Sequence, residues 1–298
     1  MPPGLERIAM AISAKDVKVL RDRTDAPMME CKSALEEAQG DLERAVKILR
    51  ERGISKMAKR ADRETTEGVV AIAVGPGNRC GSAVMITCET DFTAKNESFR
   101  AMAKDVIGAV AALSGDTVTT EQALAAQAAS GTVQSRLDDI KNSTRENMTL
   151  KQVVRFGGVC GSYSHFDGKS GALVEVELGN PAAADSDALA ALLRDVCMHI
   201  VAIQPPPLAV DADGIDPKVI EEEKEILIKQ AMDSGKSKDI AEKMVSGRMR
   251  KFFEERALNQ QPFVKNPEVN ITQFLAQGGK PLGTTIAIRR FARLSIGG

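Results

Sequence analysis

The tripeptide Gly-Lys-Ser occurs twice, at Gly168-Lys169-Ser170 and Gly235-Lys236-Ser237, and raises the question of phosphate chemistry. A phosphate loop needs another glycine five positions before the first glycine of that tripeptide, so that backbone N–H groups curl around phosphates. Tyr163 and Gln230 occupy those places. Neither tripeptide follows a buried strand and opens a helix, so both read as turns. The five cysteines, Cys31, Cys80, Cys88, Cys160 and Cys197, are widely spread and never form C-x-x-C. That pattern fits reduced thiols better than a disulfide framework or a zinc ribbon. Two histidines, His165 and His199, leave little material for metal sites or general-base work. H-E-x-x-H and G-x-S-x-G are both absent from the sequence. With no identifiable nucleophile or phosphate loop, the chain reads as a non-enzyme that carries no metal and no cofactor.

Two features point instead to contact with another protein. Met28 and Met29 are adjacent at an expected helix start, so their side chains point about 100° apart. One can enter a core; the other is left for solvent, where a methionine suits an adaptable contact. Phe92 follows Asp91 and is flanked by Thr90 and Thr93, between an expected hairpin and an expected helix. The bland arrangement tucks Phe92 under the helix with Asp91 as its cap. The functional one leaves an aromatic ring beside a carboxylate, projecting as a wedge into a partner's seam.

The elements that must hold these residues follow from periodicity. Residues 1–12 carry no pattern and read as an N-terminal extension. Residues 13–60 hold three short helical patterns: Ser13 with Asp16 forms a capping box, and Pro27 and Asp41 open the next two helices. Gly40 and Gly53 are expected stops. Three helices in so few residues make a small bundle, followed by a linker over 61–67. Val69–Val74, the turn at 75–78 and Ala83–Cys88 then form a hairpin signal, and Phe99, Met102, Val106, Val110 and Leu113 mark a long helix. The same order returns in Val159–Phe166, the turn at 167–170 and Ala172–Leu178. Leu189, Leu192, Leu193, Val196 and Ile200 mark the second long helix, stopped by Pro205-Pro206-Pro207. The fold class is therefore α+β with a duplicated core, one half over 68–150 and the other over 151–298. A charged antiparallel helical hairpin is inserted in the second half at about 216–262, with its break near Asp233-Ser234-Gly235. Thr284–Leu294 reads as a strand that completes the second sheet.

Composition narrows the partner class. The formal net charge of −1 argues against a chain whose task is to neutralise phosphates along nucleic acid. Aromatics make up 3%, with no Trp and one Tyr, which leaves no stacking platform for single strands. No stretch approaches about 18 uncharged apolar residues, and Glu6 and Arg7 stand where a signal peptide would be apolar. A cytoplasmic protein with no nucleic-acid or membrane contact is expected.

Five blocks carry a family resemblance. They are VKVLRDRTDAPMMECKSALEEAQGDLERAV, CETDFTAKNESF, CMHIVAIQP, MDSGKSKDIAEKMVSGRMRKFFEE and QPFV. In this order the chain resembles the translation elongation factor Ts family from about residue 14 to its end. The resemblance implies a guanine-nucleotide exchange factor that binds GDP-loaded or nucleotide-free elongation factor Tu and promotes GDP release so that GTP can bind. It also implies that the N-terminal bundle is ubiquitin-associated-like and that the helical hairpin protrudes. By match to the family motif, Thr90, Asp91, Phe92 and Thr93 form the exchange wedge, with Asp91 and Phe92 inserted beside the partner's magnesium and phosphate region. Arg21, Met28, Met29 and Lys32 fall where the family's N-terminal domain touches the same partner domain. Met198 and His199 fall where the core reaches a more distant β-barrel domain. A homodimer within a doubled complex is left open. Before Glu146-Asn147 the family often has Ile-Gly, where Thr144-Arg145 stands here. The alternative function is an adaptor or chaperone of ubiquitin-associated type, binding exposed apolar segments.

Overall fold

The structure is a computed structural model and describes residues 12–24, 26–58, 60–233 and 238–297. The expected extension therefore lies almost wholly outside the described residues, as does the Gly-Lys-Ser at 235–237. The N-terminal part is three helices, α1 (Ala14–Thr24), α2 (Met28–Glu37) and α3 (Leu42–Ala58). Ser13 and Asp16 cap α1 reciprocally: the Asp16 N–H donates to Ser13 Oγ at 3.1 Å and the Ser13 N–H to Asp16 Oδ2 at 3.4 Å. Asp41 Oδ1 accepts the Arg44 N–H at 3.0 Å at the head of α3. Leu20, Cys31, Ala34, Leu35, Ala38 and Ala45 fill the core at helical spacing.

Gly53 does not stop α3, which runs on to Ala58. A glycine inside a helix costs about 1 kcal/mol against alanine, too little to end one whose apolar face is already buried. Its small size serves packing instead. A Cβ at position 53 would come within 2.8 Å of Asn142 Oδ1, on the helix α7 described next.

The first core half comprises β1 (Glu67–Val74), β2 (Gly81–Cys88), α4 (Asp91–Lys95), α5 (Glu97–Ala112), α6 (Thr120–Ala125), α7 (Val133–Thr144) and β3 (Met148–Phe156). Its sheet has the order β1-β2-β3, antiparallel throughout. The expected division at 150/151 falls inside β3, because this strand completes the first sheet before the chain crosses over. The second half begins with β4 (Val159–Ser164), β5 (Ser170–Leu178) and α8 (Asp187–Ala202). The helices α9 (Pro217–Asp233) and α10 (Lys238–Arg256) follow and share a small core of Leu227, Val245 and Met249. Then come β6 (Pro262–Phe263), β7 (Asn266–Asn270), α11 (Ile271–Gly279) and β8 (Ile286–Ser295). As expected from the run 284–294, β8 pairs antiparallel with β5 and completes the sheet β4-β5-β8.

The layers follow from strand alternation. Val84, Ile86 and Cys88 face Phe99, Met102, Val106 and Val110 of α5. Ala83, Met85 and Val70 face the other sheet, against Cys160, Leu173 and Leu294. Ala172, Val174 and Val176 then face Leu189, Leu193, Val196 and Ile200 of α8. Helix, sheet, sheet and helix are stacked, which is why β2 is buried along its whole length. The turn at 165–169 joins β4 to β5, with Gly168 at φ +72°.

Candidate protein-binding site

Strand β2 ends at Cys88, and α4 starts three residues later. Thr90, not Asp91, is the cap of α4: its Oγ1 accepts the Thr93 N–H at 3.3 Å. That hydroxyl donates to Glu146 Oε1 at 2.6 Å, and the Thr90 N–H donates to Glu146 Oε2 at 3.0 Å. Below it, the Cys88 thiol donates to the Thr90 carbonyl at 3.3 Å, and burial pushes that thiol up to about 12. Thr93 and Ala94 are buried, which turns Phe92, one residue earlier and about 100° round the helix, outward. The residue is 83% exposed, so the arrangement with Phe92 tucked beneath the helix is ruled out. The Asp91 carboxylate is free of capping duty and pairs with Lys95 Nζ at 2.7 Å. The Lys95 hydrogen bond is the first cause holding it below the usual carboxylate range.

Three consecutive residues after α7 tie this helix to its surroundings. Arg145 stands in the left-handed region at φ 62°, ψ 19°, a conformation that costs a residue with a Cβ about 1–2 kcal/mol. Glycine adopts it freely. From there the Arg145 guanidinium reaches Glu30 on α2 at 3.4 Å. Glu146 holds Thr90. The Asn147 N–H donates to Glu89, and its Nδ2 donates to the carbonyls of Ala61 and Arg63 at 3.0 and 2.8 Å. One short loop thus bonds to the bundle, the cap of α4 and the stretch at 61–63. The sequence alone assigns no role to these three residues, because their partners lie on α2, at the cap of α4 and in the stretch before β1.

Met28 and Met29 are 54% and 76% exposed, so neither enters the core. The buried face of α2 begins one turn later, at Cys31. Arg21 is exposed on α1, and Lys32 is exposed beside Glu36 at 3.9 Å. Arg145–Glu30 links α2 to the loop that holds α4, so the methionines and Phe92 are joined through residues 145 and 146. Met198 and His199 lie elsewhere, on α8, which packs on the second sheet.

His199 departs from the expected contact role. It is fully buried, and its Nδ1 accepts the Val264 N–H at 3.2 Å. Nε2 therefore carries the proton and donates to Gln261 Oε1 at 3.0 Å. Gln261 Nε2 in turn donates to the Glu255 and Pro205 carbonyls. Burial lowers the imidazole pKa from its ordinary 6.5. The ring offers no surface to a partner; it fixes the chain that returns from α10, while half-buried Met198 remains at the surface.

Four of the five thiols are poorly placed for nucleophilic work. Cys31, Cys160 and Cys197 are buried like Cys88, and burial raises each of their pKa values, Cys160 to about 12. Large apolar side chains stand exposed on α2 at Met28 and Met29 and on α4 at Phe92.

The family model for elongation factor Ts matches residues 89–298. The elongation factor Ts of Clostridium botulinum (strain Alaska E43 / Type E3) is 39% identical over 289 residues, covering 96% of this chain and 93% of the relative. That of Maricaulis maris (strain MCS10) is 40% identical, covering 96% and 92%. That of Acidithiobacillus ferrooxidans (strain ATCC 53993 / BNL-5-31) is 42% identical over 269 residues, covering 89% and 87%. Matched over most of its length at about two identical residues in five, this chain belongs to the elongation factor Ts family of translation elongation factors.

Proposed function

We propose that the chain binds the GDP-loaded GTPase elongation factor Tu in the cytoplasm and accelerates GDP release, so that GTP can enter. The observation that carries this reading is Phe92, held outward on a capped helix whose cap is itself locked by Glu146. In this reading Asp91 and Phe92 enter the partner beside its magnesium and phosphate groups. Arg21, Met28, Met29 and Lys32 dock the bundle of residues 13–60, taken as ubiquitin-associated-like, on the same partner domain. Met198 serves a second, distant contact, and His199 supports the chain around it.

The mechanism is coupling rather than covalent chemistry. Factor and nucleotide bind the GTPase with mutual antagonism, so whatever the factor does to GDP affinity, GDP does equally to the factor's affinity. A thousandfold faster release needs about 4 kcal/mol of barrier reduction, within reach of a disturbed magnesium site and reoriented phosphate-binding amides. No side chain has to titrate or attack. The test is stopped-flow release of a fluorescent GDP from elongation factor Tu with increasing amounts of the chain. A saturable acceleration is expected; an unchanged release rate at excess chain overturns the proposal.

A further inference from the structure

Phe166 is the most exposed large apolar residue described, at 92%, and with Phe92 it makes up the exposed phenylalanines among the described residues. The turn that carries it does not need the ring. Asp167 Oδ1 accepts the Lys169 N–H at 2.8 Å, the Gly168 N–H bonds to the His165 carbonyl and the His165 N–H to the Ser170 carbonyl. The ring is nevertheless supported from beneath. Tyr163 Oη is hydrogen-bonded to His165 Nδ1 at 3.1 Å, and the His165 ring lies against Phe166 with centroids 4.5 Å apart. In a chain with one Tyr and two His, that turn gathers the Tyr and one of the two His behind a solvent-facing Phe.

The turn sits at the same corner of the molecule as the wedge helix. Its Gly168 carbonyl accepts the Val70 N–H at 2.8 Å, on the free edge of β1, and Lys169 Nζ bonds Glu67 Oε2 at 2.7 Å. Glu67 is paired across the sheet with Cys88, the last residue of β2 before the wedge loop. The Lys169 ammonium is close enough to the Asp91 carboxylate that each favours the other's charged form. A single exposed ring on a loop needs no explanation. Two at one corner, one of them propped in place, form a pre-organised surface.

We propose that Phe166 is a second aromatic contact for the same GTPase, docking it beside the Phe92 wedge. This rests on the exchange reading above and adds a division of labour. Phe92 acts on release itself, whereas Phe166 supplies binding that is equal before and after GDP is loosened. Such uniform binding changes the concentration needed for half-saturation and leaves the maximal rate alone.

The experiment is the GDP-release titration with the full chain carrying Phe166→Ala, Phe166→Tyr or Phe92→Ala, alongside thermal unfolding of each. Phe166→Ala should raise the half-saturating concentration about 10-fold with an unchanged maximal rate and melting temperature, and Phe166→Tyr should restore most of the loss. Phe92→Ala should lower the maximal rate. If the wild-type chain accelerates release and Phe166→Ala titrates identically, this inference falls and the exchange reading stands. If the wild-type chain has no effect, both fall. A lowered melting temperature for Phe166→Ala would overturn docking in favour of a structural role. A changed sedimentation coefficient of the chain alone would assign the ring to a second copy and also overturn it.

Discussion

At the scale of single residues, exposure separates what a side chain does for the fold from what it does for a partner. Phe92→Ala removes a ring that buries little in this chain, so its effect on unfolding should stay within about 0.5 kcal/mol. Phe99→Ala, seven residues on and fully buried, should cost about 3–5 kcal/mol. Thermal unfolding of the two variants checks the contrast, and GDP release should be slowed by the first. His199 makes a prediction in pH. Its imidazole is buried neutral with a pKa below 6.5, so near that value the unfolded chain takes up a proton that the folded chain refuses. The His199 contribution is intact above pH 6.5 and is lost as pH falls from there to the folded pKa. Urea unfolding at pH 7.5 and 5.5 should show a smaller loss in His199→Gln than in wild type. Phe92 was legible in sequence as a choice between two arrangements, and family motifs favoured the exposed one. The burial of His199 was not legible, because its partners Gln261 and Val264 lie more than sixty positions away.

At the scale of elements, periodicity located the hairpins, the long helices and the closing strand, each to within a few residues. Buried faces repeat at 2.0 or 3.6 residues whatever they pack against, so those elements announce themselves. Close approaches do not. A Cβ on Gly161 in β4 would overlap Leu193 Cβ and stand 3.2 Å from the Leu193 Cα on α8, and backbone at that distance cannot yield as a flexible side chain can. Gly161→Ala should therefore lift α8 from its sheet and cost about 1–3 kcal/mol, read as a lowered urea midpoint. Gly53 shows the converse: read as a helix stop, it is a place where α3 comes close to α7. Both glycines look alike in sequence, and only the neighbouring element decides which is which.

At the scale of the whole molecule, the two sheets are joined by more than apolar contact. Glu175 of β5 is buried between them, bonded by Arg290 and approached by Arg289 of β8 at 3.6 Å. Arg290 also bonds Asp116, beyond α5, and lies over the Phe156 ring at 4.3 Å. Arg290→Ala would strand a buried carboxylate with a single, more distant cation. The expected loss is about 3 kcal/mol, measured by thermal unfolding, whereas Arg290→Lys should recover part of it. Composition gave no hint of this network, since its charged members come from three distant stretches of an evenly charged chain. The grip of Asn147 on the carbonyls of Ala61 and Arg63 has a different consequence. Residues 61 and 63 are held to the core, so in the proposed complex whichever contact forms first would present the other at a set spacing. The second is then met at an effective concentration of about millimolar or above, rather than at the dilute concentration of free molecules. The same arithmetic runs in reverse. In that proposed complex a partner released at one end would still find that end within reach, so prompt dissociation would require competition at both ends at once.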